Sequence, residues 1–185
     1  AACQEAGLPL YLDGARLGYA MAADDELSLK DTASCCDAFT IGLTKQGALF
    51  GEGIVITNPE LQKDFRYHIK QRGGMLAKGW LMEGGLYVRL SRWARNQALR
   101  IREAFEARGV PFLCDSMSNQ QFPILPDAAI TKLRQRFAFQ TIQRVDDTHT
   151  AVRFVTSWAT REQDVDALLR VIRNSEFEMN TELKL

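Results

Sequence analysis

The sequence predicts an α/β protein, with part of a mixed, mainly parallel sheet first and a small α+β domain after it. Two apolar runs near the start each end on a charged residue, and a helical pattern lies between them. Continuous apolar runs are typical of strands buried on both faces. A strand–helix–strand unit makes its two strands parallel through a right-handed crossover. After Gly109 short strands dominate, which indicates a second domain.

The elements of the first domain follow in order. Ala1–Gly7 is predicted to be the last turn of a helix closed by glycine, so we expect the chain to be a piece of a longer one. Leu8–Asp13 is the first strand, Leu27–Cys36 a helix and Asp37–Lys45 the second strand. Ala48–Thr57 follows too closely for a crossover helix, so this third strand should run antiparallel or lie elsewhere in the sheet.

Two helices are predicted next. Asn58 and Pro59 form a typical helix start, with asparagine as the cap and proline at the first position, and this helix should end near Gly73. From Leu76 to Arg108 the pattern stays helical, with an expected break at Gly84–Gly85. Such a long helix commonly links two domains, so we place the boundary inside it.

The predicted domains are therefore 1–90, the later portion of a large sheet domain, and 91–185, a small α+β domain entered through the linking helix. Alternating Gln and Thr residues and short connections in the second domain favour an antiparallel sheet covered by helices. Its predicted strands are Val110–Cys114, Gln120–Leu125, Phe137–Val145 and Ala151–Ser157, and its predicted helices are Asp127–Arg136 and Arg161–Asn174.

Composition excludes several classes of protein. The 185 residues carry 23 Lys+Arg and 23 Asp+Glu, a formal net charge of +0, so no positive field favours nucleic acid or an anionic membrane. No apolar run approaches the ~20 residues that span a bilayer. The 4 cysteines lack C-x-x-C spacing and the 2 histidines lie apart from them, so we expect buried thiols and no metal site. We expect a cytoplasmic protein.

Asp13 and Lys45 are the first candidates for chemistry. Each follows a strand of the predicted unit, at the sheet edge where open α/β sheets bind ligands. Pyridoxal phosphate requires a lysine for its Schiff base and an acid that keeps its ring nitrogen protonated. The alternative is that Asp13 caps the turn at Gly14 and that Lys45 is a solvated residue. Spacing alone leaves both interpretations open.

Five segments, in order, resemble the threonine aldolases and related β-eliminating lyases, which are fold-type-I pyridoxal-phosphate enzymes. The resemblance runs from about Leu8 to about Asn174 and implies the large-domain sheet of the aspartate-aminotransferase type. Its segments are the aspartate motif Leu10–Leu17, the lysine segment Phe39–Lys45, the following strand Gly51–Val55, the glycine-rich turn Arg72–Met75 and the late arginine segment Val152–Thr156.

The resemblance implies a role for each matching residue. Lys45 carries the Schiff base and Asp13 pairs with the pyridinium nitrogen of pyridoxal 5'-phosphate. Arg16 reaches the phenolic oxygen of the cofactor, and Thr44 helps to hold its phosphate. Arg153 takes the substrate carboxylate in a forked contact that lysine could not reproduce; the alternative is a charge on the exposed face of an edge strand.

The chain also departs from the family pattern. Many threonine aldolases have an arginine directly after the methionine of the glycine-rich turn, whereas this chain has Leu76. Arg72 or Lys78 could replace it, although a solvated helix face explains each as well. The family's phosphate-binding Gly-Thr loop and ring-stacking histidine precede the aspartate strand, and nothing in this chain matches them.

Three functions follow as hypotheses. The first is a pyridoxal-phosphate-dependent lyase that cleaves the Cα–Cβ bond of β-hydroxy-α-amino acids, converting L-threonine or L-allo-threonine to glycine and acetaldehyde. The second is β-elimination or transamination of amino acids on the same cofactor. The third is an incomplete, non-catalytic fragment. The resemblance also implies a small amino-acid substrate and self-association as a homodimer or homotetramer.

Overall fold

The computed structural model describes residues 2–75 and 84–174. They divide into two compact units, Ala1–Leu90 and Ser91–Leu185. Within the described residues, no helix combines the length and the apolar character that crossing a membrane requires.

The first unit is a three-stranded mixed sheet with short helices. Strand β1 runs parallel to β2, with Tyr11 opposite Ala38, and β3 runs antiparallel to β2, with Val55 opposite Phe39. The predicted parallel pair is therefore confirmed, and of the two possibilities for the third strand the structure has the antiparallel one. The elements are α1 (Ala2–Glu5), β1 (Tyr11–Leu12), α2 (Leu17–Ala23), α3 (Leu29–Cys35), β2 (Ala38–Gly42), a 3₁₀ turn (Thr44–Gln46), β3 (Glu52–Ile56), α4 (Pro59–Gln62) and α5 (Phe65–Gln71).

Side-chain caps explain where two of these helices start. Ser28 and Asp31 form a capping box at α3, in which each side chain bonds the other residue's backbone N–H. The Asn58 side chain accepts from the Glu60 N–H at 3.0 Å and starts α4, as the sequence predicts. The core of the unit is small, and Phe39 at its centre is 1% exposed.

Two predictions for this unit are wrong, and they omit one helix. Strand β1 is not buried on both faces, because β2 is its only neighbour among the described residues, and Leu8 and Tyr11 are 61% and 58% exposed. Helix α2 was not predicted. The single helix expected after Pro59 is two helices, because Asp64 adopts a left-handed φ of 57° between them.

Helix α6 (Gly84–Glu106) contains the boundary between the two units. The first part of the predicted linking helix, 76–83, lies outside the described residues. The small residues Ala94, Ala98 and Ala104 are almost fully buried along α6, and Phe105 is 0% exposed. This periodic apolar face is the core side of the helix.

The second unit is built around β7, which pairs antiparallel with three strands. Strands β5 and β6 both pair with Thr150 and Ala151, so they lie on opposite edges of β7. Phe105, Leu125 and Val152 are each 0% exposed in the core between sheet and helices. The elements are β4 (Gln120–Gln121), β5 (Ile124–Pro126), α7 (Asp127–Arg134), β6 (Gln140–Arg144), β7 (His149–Val155) and α8 (Glu162–Asn174).

The predicted antiparallel sheet with covering helices is therefore present in this unit. The strand predicted at Val110–Cys114 is wrong, since only an isolated bridge between Phe112 and Pro123 forms there. The strand predicted at Gln120–Leu125 is interrupted and forms β4 and β5. Proline at 123 lacks the N–H that would continue the ladder.

Candidate functional site

Two interlocked glycines bring together the turns after β1 and β2. A Cβ on Gly14 would lie 1.8 Å from the Thr40 carbonyl oxygen, and a Cβ on Gly42 would lie 2.6 Å from the Ala15 Cα. The backbones are this close because Gly42 N–H donates to the Gly14 carbonyl at 2.9 Å. Gly14 N–H donates in turn to the Thr40 Oγ1 at 3.0 Å. The residues that follow both strands are thus held side by side.

Asp13 lies at the start of this interlocked pair of turns. One of its carboxylate oxygens, Oδ1, accepts from the Ala15 N–H at 3.0 Å, which is the turn-capping role that the sequence left open. The side chain is exposed. The second oxygen has no hydrogen-bond partner among the described residues, so the turn uses only part of the carboxylate.

Arg16, Thr44 and Lys45 lie on the same pair of turns and are all exposed. Arg16 is the residue before α2. Thr44 and Lys45 belong to a 3₁₀ turn rather than to the end of the predicted strand, which stops at Gly42. Within the part of the chain that the structure describes, the Lys45 amine makes no hydrogen bond or ion pair.

Tyr19 holds the backbone of the lysine turn, a role that the sequence analysis missed. Its hydroxyl donates to the Lys45 carbonyl oxygen, and its side chain is 2% exposed. Burial raises the pKa of the Tyr19 hydroxyl to about 12. On the preceding residue of the helix, Gly18 N–H donates to the Tyr87 hydroxyl at 2.7 Å. The only sequence signal for the contact between Tyr19 and Lys45 is that Tyr19 lies one helical turn after Arg16.

Gln46 follows the lysine and is buried at 3% exposure. Neither its amide nitrogen nor its amide oxygen has a hydrogen-bond partner among the described residues. A buried primary amide without partners is costly. Nothing in the sequence pattern distinguishes this glutamine from a surface residue.

Arg153 lies in the second unit, on β7, and is partly buried. Its neighbours Val152 and Phe154 point into the core, so Arg153 projects from the opposite face of the sheet. Its Nη1 donates to Gln120 Oε1 at 3.0 Å, and its Nη2 donates to Gln140 Oε1. No sequence pattern indicates either glutamine, because both are distant from Arg153 along the chain.

The other candidate residues have ordinary surroundings. Arg72 is exposed at the end of α5, whereas Leu76 and Lys78 lie outside the described residues. All 4 cysteines are free thiols, but the expectation that they are buried is confirmed for Cys36 alone, since Cys35 and Cys114 are exposed. His149 is 3% exposed, and its Nδ1 lies 2.9 Å from the Asp146 carboxylate inside the turn between β6 and β7. No group of three metal-binding side chains occurs in the ranges 2–75 and 84–174.

The first unit therefore gathers a carboxylate, a guanidinium, a hydroxyl and an amine on two adjoining turns, while Arg153 belongs to the second unit. A primary amine without an ionic partner can form a covalent bond to a carbonyl compound. A neighbouring carboxylate can stabilise positive charge that develops on the bound ligand.

Comparison with known proteins shows which proteins this chain is similar to. The family model described as "Beta-eliminating lyase" matches residues 1–155. A low specificity L-threonine aldolase from Pseudomonas aeruginosa is 33% identical over 187 aligned positions, which cover 94% of this chain and 52% of that protein. The chain thus spans about half the length of this curated relative.

Solved structures give the same result. The threonine aldolase from Leishmania major superposes with a TM-score of 0.85 at 38% identity, over 93% of this chain and 53% of that one. A serine palmitoyltransferase from Sphingomonas wittichii superposes with a TM-score of 0.57 at 13% identity, over 92% of this chain and 48% of that one. The second likeness concerns the fold alone.

Proposed function

Because this chain belongs to the beta-eliminating lyase family, we propose that it is part of a pyridoxal-phosphate-dependent lyase acting on β-hydroxy-α-amino acids. The reaction would cleave the Cα–Cβ bond of L-threonine or L-allo-threonine to give glycine and acetaldehyde. Identity of 33% to a low specificity L-threonine aldolase supports this choice of reaction. The observation that carries the proposal is the interlock of Gly14 with Gly42, which sets the turn of Asp13 against the turn of Lys45.

The chemistry of the side chains on these turns suits pyridoxal phosphate. An unpaired, exposed amine at Lys45 suits an aldehyde, and the partnerless second oxygen of Asp13 suits a protonated ring nitrogen. Arg16 and Thr44 offer donors for the phenolic and phosphate oxygens. When bound, the cofactor supplies an electron sink for the negative charge that develops at Cα.

Each of the candidate site residues has a definite role in the proposed reaction. Asp13 keeps the ring nitrogen of the cofactor protonated, and Arg16 would neutralise the negative charge on the phenolic oxygen of the cofactor. Lys45 binds the cofactor covalently and then holds or releases a proton at its amine. Tyr19 keeps the lysine turn in position through the Lys45 carbonyl. Arg153 would bind the α-carboxylate of the amino acid through its planar fork.

The test is covalent capture of the cofactor at Lys45. The purified protein, incubated with pyridoxal phosphate and reduced with borohydride, should yield a peptide modified at Lys45. Lys45→Ala should abolish the modification and the visible absorbance band. Lys30→Ala is the matched control, because Lys30 is also exposed but lies on α3. Unchanged labelling in the Lys45 variant, in protein of native circular dichroism, would contradict the assignment.

The family description favours β-elimination as the second candidate reaction. Asp13, Arg16 and Lys45 would serve cleavage, β-elimination and transamination equally, so the products decide between them. Threonine, allo-threonine, serine and cysteine are offered separately. Glycine with an aldehyde supports Cα–Cβ cleavage, whereas a 2-oxo acid without glycine supports elimination or transamination.

We also infer self-association as a homodimer or homotetramer, which the family resemblance implies, and a cytoplasmic location, which the balanced composition favours. Sedimentation with and without cofactor measures the association. The remaining hypothesis is that the 185 residues alone are a non-catalytic fragment, because they span 52% of the Pseudomonas relative. Cleavage of threonine by the 20.9 kDa chain by itself would contradict it.

A further inference from the structure

Among the described residues, the guanidinium of Arg153 has hydrogen-bond partners that are all neutral. Its two terminal nitrogens donate to the amide oxygens of Gln120 and Gln140, and its Nε is buried without a partner. No carboxylate lies within ion-pair distance of it among the described residues. Other arginines of the same unit do have carboxylate partners: Arg100, Arg102, Arg144 and Arg161.

The register of the sheet explains why the two glutamines flank this arginine. Gln140 on β6 lies directly opposite Arg153. Gln120 on β4 lies opposite Val155, two residues further along β7 and therefore on the same face as Arg153. The two amides thus approach the guanidinium from neighbouring strands, 33 and 13 residues away along the chain.

This arrangement orients the guanidinium without neutralising it. A guanidinium has five N–H donors, of which the glutamines use two. A carboxylate in place of either amide would pair with the positive charge and occupy the fork. Glutamine orients the side chain of Arg153 equally well, but it leaves the full charge and one N–H on each terminal nitrogen for a ligand, since the remaining donor, Nε–H, is buried.

We propose that Gln120 and Gln140 are positioning residues, which hold Arg153 charged and oriented so that it binds a monocarboxylate ligand. The inference rests on the proposed function in one respect, namely that this ligand is the α-carboxylate of the amino-acid substrate. It predicts that a change of glutamine to glutamate weakens carboxylate binding, although the side-chain size and the sheet are unchanged.

Acetate is the probe, because it presents a carboxylate without an amine and does not depend on the cofactor. Binding is followed through the ¹⁵Nε–H signal of Arg153 in nuclear magnetic resonance spectra. Arg153→Lys identifies the signal. In Gln140→Glu and Gln120→Glu we expect the dissociation constant for acetate to rise about 10- to 100-fold, the usual effect of losing hydrogen bonds to a charged group.

Gln143→Glu is the matched control. Gln143 lies on the same exposed strand, opposite Ala151, and makes no hydrogen bond to Arg153 among the described residues. Its substitution adds the same charge to the strand. Its dissociation constant for acetate should stay within about twofold of the unmodified value, as expected for a screened surface charge. Gln140→Asn, which keeps a neutral acceptor, should bind acetate more tightly than Gln140→Glu.

The same variants separate positioning from general structural damage. In the active protein the KM for threonine should rise in Gln140→Glu while kcat stays within a few-fold. Binding of 1-amino-2-propanol, which lacks the carboxylate, should not change. The inference is wrong if acetate leaves the Arg153 signal unshifted, or if Gln140→Glu and Gln143→Glu bind acetate equally.

Failure of this inference can be distinguished from failure of the proposed function. If cofactor is captured at Lys45 but the glutamate variants bind acetate normally, the positioning role fails and the lyase proposal stands. If acetate binding responds as predicted but no cofactor is captured, the lyase proposal fails and the carboxylate site stands.

Discussion

Alanine at Gly14 should separate the turn of Asp13 from the turn of Lys45. The added Cβ would lie 1.8 Å from the Thr40 carbonyl oxygen. This atom is backbone and cannot rotate away, so one turn must move by about 1.6 Å to restore an ordinary contact of about 3.4 Å. That shift breaks the bonds from Gly14 N–H to Thr40 Oγ1 and from Gly42 N–H to the Gly14 carbonyl.

The loss of these two hydrogen bonds determines most of the decrease in the free energy of unfolding. Each buried hydrogen bond contributes about 1 kcal/mol net, so the pair accounts for about 2 kcal/mol. Strain of overpacking adds about 1 kcal/mol or more. We therefore expect Gly14→Ala to destabilise the first unit by about 3 kcal/mol, or about 100-fold in its unfolding equilibrium. Gly42→Ala should behave alike, since its Cβ would lie 2.6 to 2.8 Å from backbone atoms of Ala15.

Gly53→Ala on β3 is the control, because its Cβ would meet only the Ile41 side chain at 3.6 Å. Its effect should stay within about 1 kcal/mol in either direction. Amide hydrogen exchange at Gly42 measures the contact directly, and urea unfolding measures the stability. If Gly14→Ala kept the native protection at Gly42 and the native urea midpoint, the interlock would not hold the turns together.

Three further changes test other parts of the structure. Tyr19→Phe removes the donor to the Lys45 carbonyl and should cost about 1 kcal/mol; the thermal midpoint should fall, and the tyrosine absorbance that titrates near pH 12 should disappear. Leu125→Ala should cost about 2 to 5 kcal/mol in urea unfolding, because Leu125 is 0% exposed in the core of the second unit, and a change below about 1 kcal/mol would contradict that packing. The Asp146 carboxyl accepts the Thr148 N–H, which holds its pKa well below 3.8 and stabilises the fold above the unfolded pKa; the stability difference between the native protein and Asp146→Asn should therefore shrink as the pH falls below about 4, and a gap independent of pH would refute it.

Arg153 has neutral hydrogen-bond partners, whereas a carboxylate partner would stabilise the fold more. An arginine on a sheet face is commonly paired with a carboxylate, as Arg144 is with Asp127. Gln120 and Gln140 provide no such attraction. They leave the charge of the Arg153 guanidinium unneutralised and some of its N–H groups without a partner. Such an arrangement suits a ligand that brings its own negative charge.

Much of the fold could be predicted from short stretches of sequence. Apolar runs predicted β2 and its parallel partner, and the close spacing before Ala48–Thr57 left an antiparallel third strand as one of two possibilities. Asn58 and Pro59 marked a helix start that the structure has. These signals are local, because caps, proline and apolar periodicity act on the residues that carry them and their near neighbours.

What tertiary structure decided is which side chains meet. The sequence determined an order of motifs that places a lysine and an aspartate after two parallel strands. The approach of Gly14 to Thr40, the bond from Tyr19 to Lys45 and the neutral environment of Arg153 depend on residues separated along the chain. The exposure of β1 was equally unpredictable, since an apolar run indicates a preference for burial, whereas burial itself depends on which neighbours pack against the strand.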